Sequence, residues 1–211
     1  MPSQIGNNVL KCLVFTFAVN ACVASDVSTS SEISRNMSAK TMYFAFGSNL
    51  LTSRMHVMNP TAVRAGIGKL QDYQLDFVSY SKVWQGFAAT VVPKEGSHVW
   101  GALWEIPTEN IPELDKQEGV QANIYYPITV DVQMPDGKTI QARCYRQVGE
   151  VLEVNLQNLP DQRKPTPAYL NTMIEGAVES GLPTDYIEYM KKIPHNGSTV
   201  KPNLNFVYPK V

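Results

Sequence analysis

Residues 42–55, MYFAFGSNLLTSRM, place an apolar run, a glycine and the start of an apolar-spaced segment next to one another. The run 43–46 is typical of a short buried strand that ends at Gly47. Asn49 is then predicted to cap a helix that continues to about Met55. A strand that feeds directly into a helix leaves the first helical N–H groups without intrahelical partners and pointing one way. We therefore expect this turn to offer backbone donors to a carboxylate or a developing oxyanion.

The composition is that of one globular domain without an excess of basic residues. The chain has 211 residues, of which 44% are hydrophobic and 18% charged, and its formal net charge is −1. These values allow a substantial core and exclude the basic surface of a nucleic-acid-binding protein. We expect the folded domain to span residues 42–196, followed by an extended C-terminal tail over 197–211.

The N-terminal region differs in character from the rest of the chain. Residues 1–24 contain an apolar run with small residues at its end, which is typical of a secretory signal peptide and too short for a membrane-spanning helix. Residues 25–41 are polar and serine-rich, and are expected to form a disordered linker. Met37 and Met42 offer an alternative start for a shorter, cytosolic product. The localisation therefore stays open between the secretory pathway and the cytoplasm.

Alternating apolar positions predict several strands after residue 62. The segments 63–70 and 73–77 show a period of two. Further strand candidates are 87–93 and 98–106, in which Trp100 and Trp104 fall on the same face, and 124–132 and 138–148. The last two flank 135–137, Pro-Asp-Gly, which predicts a hairpin turn because Asp and Gly tolerate the positive φ that the turn needs.

Helices are predicted by caps and by the spacing of apolar residues. Thr108 is expected to cap a short helix that Gly119 closes, and Thr166 to cap a longer one that Gly181 ends. A core-facing stripe on the longer helix consists of Leu170, Met173, Ile174, Ala177 and Val178. A second short helix is predicted to bury Tyr186, Ile187, Met190 and Ile193. The fold class is therefore α+β: a mostly antiparallel sheet, closed into a small barrel, with helices packed outside.

The usual nucleophiles and metal ligands do not form a recognisable motif. The three histidines, His56, His98 and His195, have no metal-ligand spacing. Ser48 follows a glycine on a strand-to-helix turn, as in a nucleophile elbow, but position 50 is Leu instead of the glycine that the motif requires. The sequence therefore predicts no metal site.

Glu118 is the carboxylate with the most unusual predicted position. It lies at the end of the helix that Gly119 closes, where it faces the negative end of the helix dipole, so its pKa is expected to be raised. A raised carboxyl pKa suits a group that acts first as a base and then as an acid. The alternative is a solvated glutamate whose unfavourable interaction with the helix dipole is reduced by the nearby Lys116. Asp115 and Glu113 are rival candidates for the catalytic carboxylate in the same turn.

Taken in order, these segments resemble the γ-glutamylcyclotransferase family. YFAFGSNLLTSRM (43–55) is similar to the family's Y-F-A-Y-G-S-N-L signature, and LDKQEGV (114–120) is similar to its L-D-x-Q-E-G-V segment. KLQDYQLDF (69–77), VWGALW (99–104) and TPAYLNTMIEGAVESGLPTDY (166–186) follow the family in order and spacing. The resemblance covers roughly residues 42–195.

The resemblance implies a fold, a reaction and a set of site residues. The fold is a small β-barrel flanked by helices, usually a homodimer, that uses neither a metal nor an organic cofactor. The reaction converts a γ-glutamyl amino acid into 5-oxoproline and the free amino acid. Glu118 matches the family's catalytic glutamate. The residues implied to bind substrate are Tyr43, Phe44, Ala45, Phe46, Gly47, Ser48, Tyr125 and Tyr169. Tyr169 has a second reading, as a core residue one turn before Met173.

Three departures from the family pattern leave the substrate open. Phe46 replaces a tyrosine, Phe87 replaces a second glycine, and the connection 149–165 is long enough to be a lid. The alternatives are a cyclotransferase directed at γ-glutamylamines or at glutathione, and a non-catalytic paralogue that serves as a small-molecule binding or interaction module. Retention of Glu118 argues against the paralogue.

Overall fold

The computed structural model describes residues 39–149 and 155–204. The predicted signal peptide, nearly all of the predicted linker and the end of the predicted tail lie outside the described residues. The first strand begins at Lys40, two residues before the start expected for the domain. Among the described residues, no helix has the length and apolar character needed to cross a membrane.

Five strands form a closed barrel. They are β1 (Lys40–Ala45), β2 (Val63–Ser81), β3 (Gly86–Pro107), β4 (Tyr125–Gln133) and β5 (Thr139–Gln147). Their order around the barrel is β1-β3-β2-β4-β5. All neighbours are antiparallel except β1 and β5, which close the barrel through a parallel pairing of Tyr43 with Arg143. The α+β barrel predicted from the sequence is confirmed.

The two longest strands each join segments that the sequence pattern separates. β2 has 19 residues and β3 has 22, whereas the alternation predicts two shorter strands in each region. Register shifts between Arg64 and Gly66, between Gln71 and Tyr73, and beyond Phe77 interrupt the pairing. Such bulges bend a strand without ending it, which also breaks the alternation seen in the sequence.

Within residues 39–149 and 155–204, four α-helices and five 3-10 turns surround the barrel. The helices are α1 (Thr52–Met55), α2 (Ile111–Gln117), α3 (Pro167–Ser180) and α4 (Thr184–Lys191). The 3-10 turns are Ser48–Leu50, Thr108–Asn110, Val120–Ala122, Leu156–Asn158 and Asp161–Arg163.

Local signals for several helix ends and turns are confirmed. The Thr166 side chain accepts a hydrogen bond from the Tyr169 N–H at 3.2 Å, as an N-cap does. Gly119 and Gly181 follow α2 and α3 with φ of 67° and 74°, where a side chain would be strained. Gly137, at φ 85°, completes the predicted turn between β4 and β5.

Two predicted caps are wrong. Asn49 lies within the 3-10 turn after β1, and α1 begins only at Thr52. The Asn49 side chain is buried and bonds to distant side chains instead of to the helix backbone. Thr108 begins a 3-10 turn, and its hydroxyl lies 3.0 Å from that of Thr41 in β1. In both places a tertiary partner competes successfully with the local cap.

The buried face of α3 differs at one position from the predicted stripe. Leu170, Met173 and Ala177 are buried, whereas Val178 is 60% exposed. The helix rests on the turn after β1 through Gly176, where an added Cβ would lie 2.4 Å from the Leu51 nitrogen. This close contact centres the packed face on 173, 176 and 177 and turns position 178 to solvent. The stripe predicted for α4 and the residues after it is confirmed, since Tyr186, Ile187, Met190 and Ile193 are buried.

The described part of the long connection is anchored to the barrel. Leu156 and Leu159 are buried in the core. Arg163 donates to the Phe77 carbonyl at 2.8 Å and forms an ion pair with the fully buried Asp76 at 2.6 Å. These contacts hold residues 155–165 against the barrel, whereas residues 150–154 of the lid predicted for this connection lie outside the described residues.

Candidate active site

One pocket collects side chains from both ends of the described domain. It holds about 560 Å³ of space, part of it open to solvent. Its lining residues are Tyr43, Phe46, Gly47, Ser48, Asn49, Arg54, Ser81, Val83, Trp84, Ala88, Ala89, Gln117, Glu118, Tyr125, Tyr145 and Tyr169. Aromatic and apolar side chains line the pocket together with a convergent set of polar groups, as is typical of small-molecule sites.

The glycine turn forms one wall of this pocket because of a close approach. An added Cβ on Gly47 would lie 3.0 Å from the Tyr169 hydroxyl oxygen, so a larger residue would push α3 away from the turn. The Tyr169 hydroxyl accepts a hydrogen bond from the N–H of Ala89 at 2.9 Å. Tyr169 therefore fixes the distance between the turn and the β3 wall.

A hydrogen bond inside the turn revises the donor array expected there. The N–H of Leu50 donates to the Gly47 carbonyl at 3.1 Å. One of the backbone groups expected to face a ligand is thus already used inside the protein. The Tyr169 hydroxyl stays protonated at neutral pH, because burial raises its pKa well above the ordinary value. Its own proton is the donor that this wall presents.

Glu118 lies at the opposite wall, directly after α2. It is half-buried, and Gly119 behind it turns the chain away. Burial raises the pKa of Glu118 to about 7, even though Arg54 and hydrogen bonds from Asn49 and Tyr43 favour the ionised form. The direction agrees with the helix-dipole argument, but loss of solvent is the larger cause.

Asn49 connects the glycine turn to Glu118. Its Nδ2 donates to Oε1 of Glu118 at 2.9 Å and to the Tyr43 hydroxyl at 3.0 Å. Its Oδ1 accepts from Nε2 of Gln117 at 2.9 Å. The Trp104 indole N–H donates to the Asn49 carbonyl at 3.1 Å, which fixes the backbone as well. The carboxylate is therefore held by groups of the turn itself.

The rival carboxylates of α2 have other partners. Asp115 forms an ion pair with Arg143 at 2.6 Å and accepts a hydrogen bond from the Tyr145 hydroxyl. Glu113 is exposed and lies 3.7 Å from the Lys116 ammonium. Lys116 is therefore the ion-pair partner of Glu113 and not of Glu118. Of these three acids only Glu118 lines the pocket.

Tyr145 and Tyr125 complete the aromatic walls. The Tyr145 ring meets the Tyr43 ring edge-on, with centroids 5.7 Å apart. The Tyr125 hydroxyl donates to the Ala89 carbonyl at 2.9 Å and accepts from Gln147 at 2.9 Å. These bonds tie β4 and β5 to β3 behind the pocket.

Comparison with known proteins identifies the family to which this architecture belongs. The model of the AIG2-like family matches residues 98–190. The γ-glutamylcyclotransferase of Bos taurus is 40% identical over 166 residues, which are 77% of this chain and 79% of the bovine protein. The γ-glutamylcyclotransferase of Homo sapiens is 40% identical over 164 residues, which are 76% of this chain and 82% of the human protein. The chain belongs to the γ-glutamylcyclotransferase family.

A solved structure supports the same family. A γ-glutamyl cyclotransferase superposes with a TM-score of 0.71 at 36% identity, covering 78% of this chain and 94% of that one. This level of similarity extends over most of the barrel and its helices, so the family resemblance inferred from the motifs is confirmed.

Most of the site residues predicted from the family signatures lie in one pocket of the structure. Those that line it are Tyr43, Phe46, Gly47, Ser48, Glu118, Tyr125 and Tyr169. Phe44 and Ala45 do not: both are buried in the core, and the Phe44 ring lies where a Cβ on Gly101 would fall. Adjacent strand residues point to opposite faces, so Tyr43 and Phe44 cannot both face the pocket. The roles of the lining residues stay predictions.

Two departures from the γ-glutamylcyclotransferase pattern have different positions. Phe46 lines the pocket and is buried, so the site lacks the hydroxyl that a tyrosine at this position would provide. Phe87 is half-buried outside the lining and packs edge-on against Tyr80, with ring centroids 6.2 Å apart. Phe87 therefore does not form part of the pocket wall.

Nine lining residues were not predicted as site residues. They are Asn49, Arg54, Ser81, Val83, Trp84, Ala88, Ala89, Gln117 and Tyr145. Asn49, Arg54 and Gln117 stand inside the two family motifs, and that position was the available signal. Trp84 and Tyr145 reach the pocket through long-range packing. Within the ranges that the structure describes, no three His, Cys, Asp or Glu side chains form a group that could hold a metal ion.

Proposed function

We propose that this protein is a γ-glutamylcyclotransferase that converts γ-glutamyl amino acids into 5-oxoproline and a free amino acid. The observation that carries the proposal is the position of Glu118. A carboxyl with a pKa of about 7 lines the same pocket as the glycine turn and is hydrogen-bonded to Asn49 of that turn. Membership of the γ-glutamylcyclotransferase family supports the reaction class.

The first step is deprotonation of the substrate amine. The α-amine of a γ-glutamyl compound is mostly an ammonium at neutral pH and cannot attack. Ionised Glu118 removes one of its protons, and a base with a pKa near 7 is ionised in about half of the molecules at pH 7. Asn49 and Tyr43 donate to the carboxylate and hold it in place.

The second step is ring closure within the substrate. The amine nitrogen attacks the γ-carbonyl carbon, a five-membered ring forms and the carbonyl oxygen becomes an oxyanion. Since the reaction is intramolecular, the pocket has mainly to hold the folded conformer. We assign the Tyr169 hydroxyl as the donor to this oxyanion, because it lines the pocket and accepts a hydrogen bond from the Ala89 N–H, which leaves its own proton to donate.

The last step releases the amino acid. The C–N bond to the leaving amine breaks as the oxyanion re-forms a carbonyl. Glu118, now protonated, gives its proton to the departing nitrogen, which leaves as a neutral amine. The regenerated carboxylate then removes the second proton from the ring nitrogen, which becomes the lactam N–H, and passes that proton to the free amine. One residue thus acts as base and acid for both protons, which end on the released amino acid.

Incubation of the purified full-length chain with γ-glutamyl-alanine tests the proposal. We expect 5-oxoproline and alanine in equal amounts from the wild type, and a loss of about 10³-fold or more in Glu118→Gln, which cannot take the proton. Glu113→Gln is the matched control, because Glu113 lies in the same helix but is exposed. Equal activity in both variants would remove Glu118 from the mechanism.

The substrate class is tested with the same preparation. Rates with γ-glutamyl-alanine, glutathione and a γ-glutamylamine separate the proposed enzyme from the two related cyclotransferases. Binding of γ-glutamyl-alanine without release of 5-oxoproline would instead identify a non-catalytic binding module. We further propose that the protein is a homodimer, as the family resemblance implies, and a monomeric mass in light scattering would refute this.

A further inference from the structure

Asn59 lies in the loop between α1 and β2 and is almost fully buried. Only 1% of its surface is exposed, and it does not line the pocket. Its backbone N–H donates to the Met55 carbonyl at 3.2 Å, and its own carbonyl accepts from the Ala62 N–H at 3.1 Å. These two bonds fix the backbone of Asn59. Its side chain reaches Gln117, the last residue of α2.

Three side-chain amides form a continuous chain of hydrogen bonds from Asn59 to Glu118. Nδ2 of Asn59 donates to Oε1 of Gln117 at 3.0 Å. Nε2 of Gln117 donates to Oδ1 of Asn49 at 2.9 Å, and Nδ2 of Asn49 donates to Oε1 of Glu118 at 2.9 Å. The chain of amides therefore connects the α1–β2 loop, the end of α2 and the glycine turn.

The carboxylate at the end of this chain requires all three amides to point the same way. An ionised carboxylate only accepts hydrogen bonds, so Asn49 has to direct its nitrogen to Glu118 and its oxygen to Gln117. Gln117 then has to offer its nitrogen to Asn49, which leaves its oxygen facing Asn59. The nitrogen of Asn59 is the donor that matches this oxygen.

A residue without a donor at position 59 would remove the reason for this direction. The Gln117 oxygen would lose its partner, and its amide would no longer favour one of the two orientations. In the reversed orientation the Gln117 oxygen faces the Asn49 oxygen, so Asn49 also rotates. An oxygen of Asn49 would then face Glu118, and two facing oxygens disfavour the ionised carboxylate.

We propose that Asn59 is a positioning residue of the reaction, which acts through Gln117 to keep the nitrogen of Asn49 directed at the Glu118 carboxylate. The inference rests on the proposed cyclotransferase function and adds to it a residue outside the pocket. Because Asn59 does not line the pocket, it acts through the two intervening amides.

Ionisable groups on several elements also act on Glu118, and a substitution of Asn59 by leucine changes none of them. Among the described residues these groups are Tyr43 on β1, Arg54 on α1, Asp115 on α2, Cys144 and Tyr145 on β5, and Tyr169 on α3. Leucine also adds no charge. A change in the titration of Glu118 in this variant therefore reports on the chain of amides.

The pH dependence of kcat/KM for γ-glutamyl-alanine tests the proposal in Asn59→Leu. Leucine keeps the branched shape of asparagine but has no donor. We expect kcat/KM to lie about 5-fold below the wild type at pH 6 and less than about 2-fold below it at pH 9, because the base ionises at a higher pH. A loss of the same size at both pH values would overturn the proposal, since it would identify a structural residue.

Two further variants separate the chain of amides from the packing of the loop. Asn110→Leu removes another amide that is bonded to the same loop, where Nδ2 donates to the Thr61 hydroxyl at 2.7 Å, and should keep the wild-type pH dependence. Gln117→Met interrupts the chain and should shift the pH dependence in the same direction as Asn59→Leu. The double variant should shift it no further than Gln117→Met alone, and additive shifts would contradict the proposal.

A titration without turnover keeps the outcome decisive. Carbon-13 NMR of the Glu118 carboxyl, assigned by its loss in Glu118→Gln, should give a higher pKa in Asn59→Leu than in the wild type. An unchanged pKa would overturn the proposal, and if Asn59→Leu fails to fold, the same measurement on Gln117→Met decides. A wild type that forms no 5-oxoproline would refute the cyclotransferase, which is a separate result, because the NMR titration needs no activity.

Discussion

Asn49 donates a hydrogen bond to Glu118 across 2.9 Å, although 69 positions separate the two residues in the chain. The same amide group also donates to Tyr43, while its oxygen accepts from Gln117. Because the oxygen is held by Gln117, the nitrogen must face the carboxylate. The glycine turn and the end of α2 are therefore two parts of one hydrogen-bonded unit.

Removal of the Asn49 amide should shift the pH dependence of catalysis. The hydrogen bond from Asn49 lowers the pKa of Glu118, which is about 7 in the intact site. Wild-type kcat/KM should rise with pH and level off above about 7, because the base must be ionised. In Asn49→Ala the rise of kcat/KM with pH should shift to higher pH, and kcat/KM at neutral pH should fall about 10-fold. Asn110→Ala is the control, and a rise unchanged from the wild type would contradict the prediction.

Glu118 should make the fold less stable as the pH rises. Its pKa is raised from 4.5 in the unfolded chain to about 7 in the folded protein, so the folded state holds the proton more tightly. Its stabilising contribution is complete below pH 4.5 and is lost as the pH rises through 7. At pH 8, Glu118→Gln should raise the free energy of unfolding by ~1–3 kcal/mol relative to the wild type.

Urea unfolding at pH 5 and pH 8 measures this effect. The difference between Glu118→Gln and the wild type should be larger at pH 8 than at pH 5. Glu113→Gln, in an exposed position of the same helix, should show no such difference. A difference that is the same at both pH values would argue against a raised pKa for Glu118.

A methyl group at position 176 should destabilise the domain. Gly176→Ala would place a Cβ 2.4 Å from the Leu51 nitrogen and 2.5 Å from the Leu50 carbonyl carbon, both of them backbone atoms. Helix propensity alone favours alanine by about 0.5–1 kcal/mol, so a net loss isolates the packing clash. We expect the free energy of unfolding to fall by ~1–3 kcal/mol.

Thermal and urea unfolding provide the measurement for Gly176→Ala. Val178→Ala is the control on the same helix, because Val178 is 60% exposed and contributes little. An alanine variant as stable as the wild type would show that the turn after β1 can move away from α3.

Breaking the buried Asp76–Arg163 ion pair should lower the free energy of unfolding far more than breaking the Lys164–Asp161 pair at the surface. Asp76 is fully buried, and Arg163→Met would leave its carboxylate without the cation. We expect the free energy of unfolding of this variant to fall by ~3–5 kcal/mol. Lys164→Met removes the adjacent pair with the exposed Asp161 and should cost less than ~1 kcal/mol. Equal effects of the two substitutions in urea unfolding would be inconsistent with the anchoring of residues 155–165.

Local rules predicted the parts of the fold that depend on local contacts. The turn at Gly137 and the helix ends at Gly119 and Gly181 follow from positive φ angles that few residues adopt, and the cap at Thr166 follows from a side-chain oxygen beside the first helical N–H groups. The cap predicted for Asn49 failed because its side chain has better partners across the barrel. A pattern in one segment carries no information about such partners.

The site was predictable where chemistry and position coincide in one short segment. Glu118 stands next to a helix end and a closing glycine, so its raised pKa could be inferred in direction. Trp84 and Tyr145 gave no comparable signal, since they reach the pocket through packing between distant elements. Residue alternation in β1 excludes Phe44 from the wall that Tyr43 forms, a consequence that motif matching alone overlooks.

The pocket takes Tyr43 from the first strand and Tyr169 from the third helix of the described domain. During synthesis, a chain that has not yet emerged as far as Pro167–Ser180 lacks one wall of the site. We expect no catalysis from such nascent or prematurely terminated chains, whatever structure their barrel strands have reached. The turnover rate per mole of polypeptide would then be proportional to the fraction of chains that are complete and folded. An activity assay would therefore also measure the folding yield.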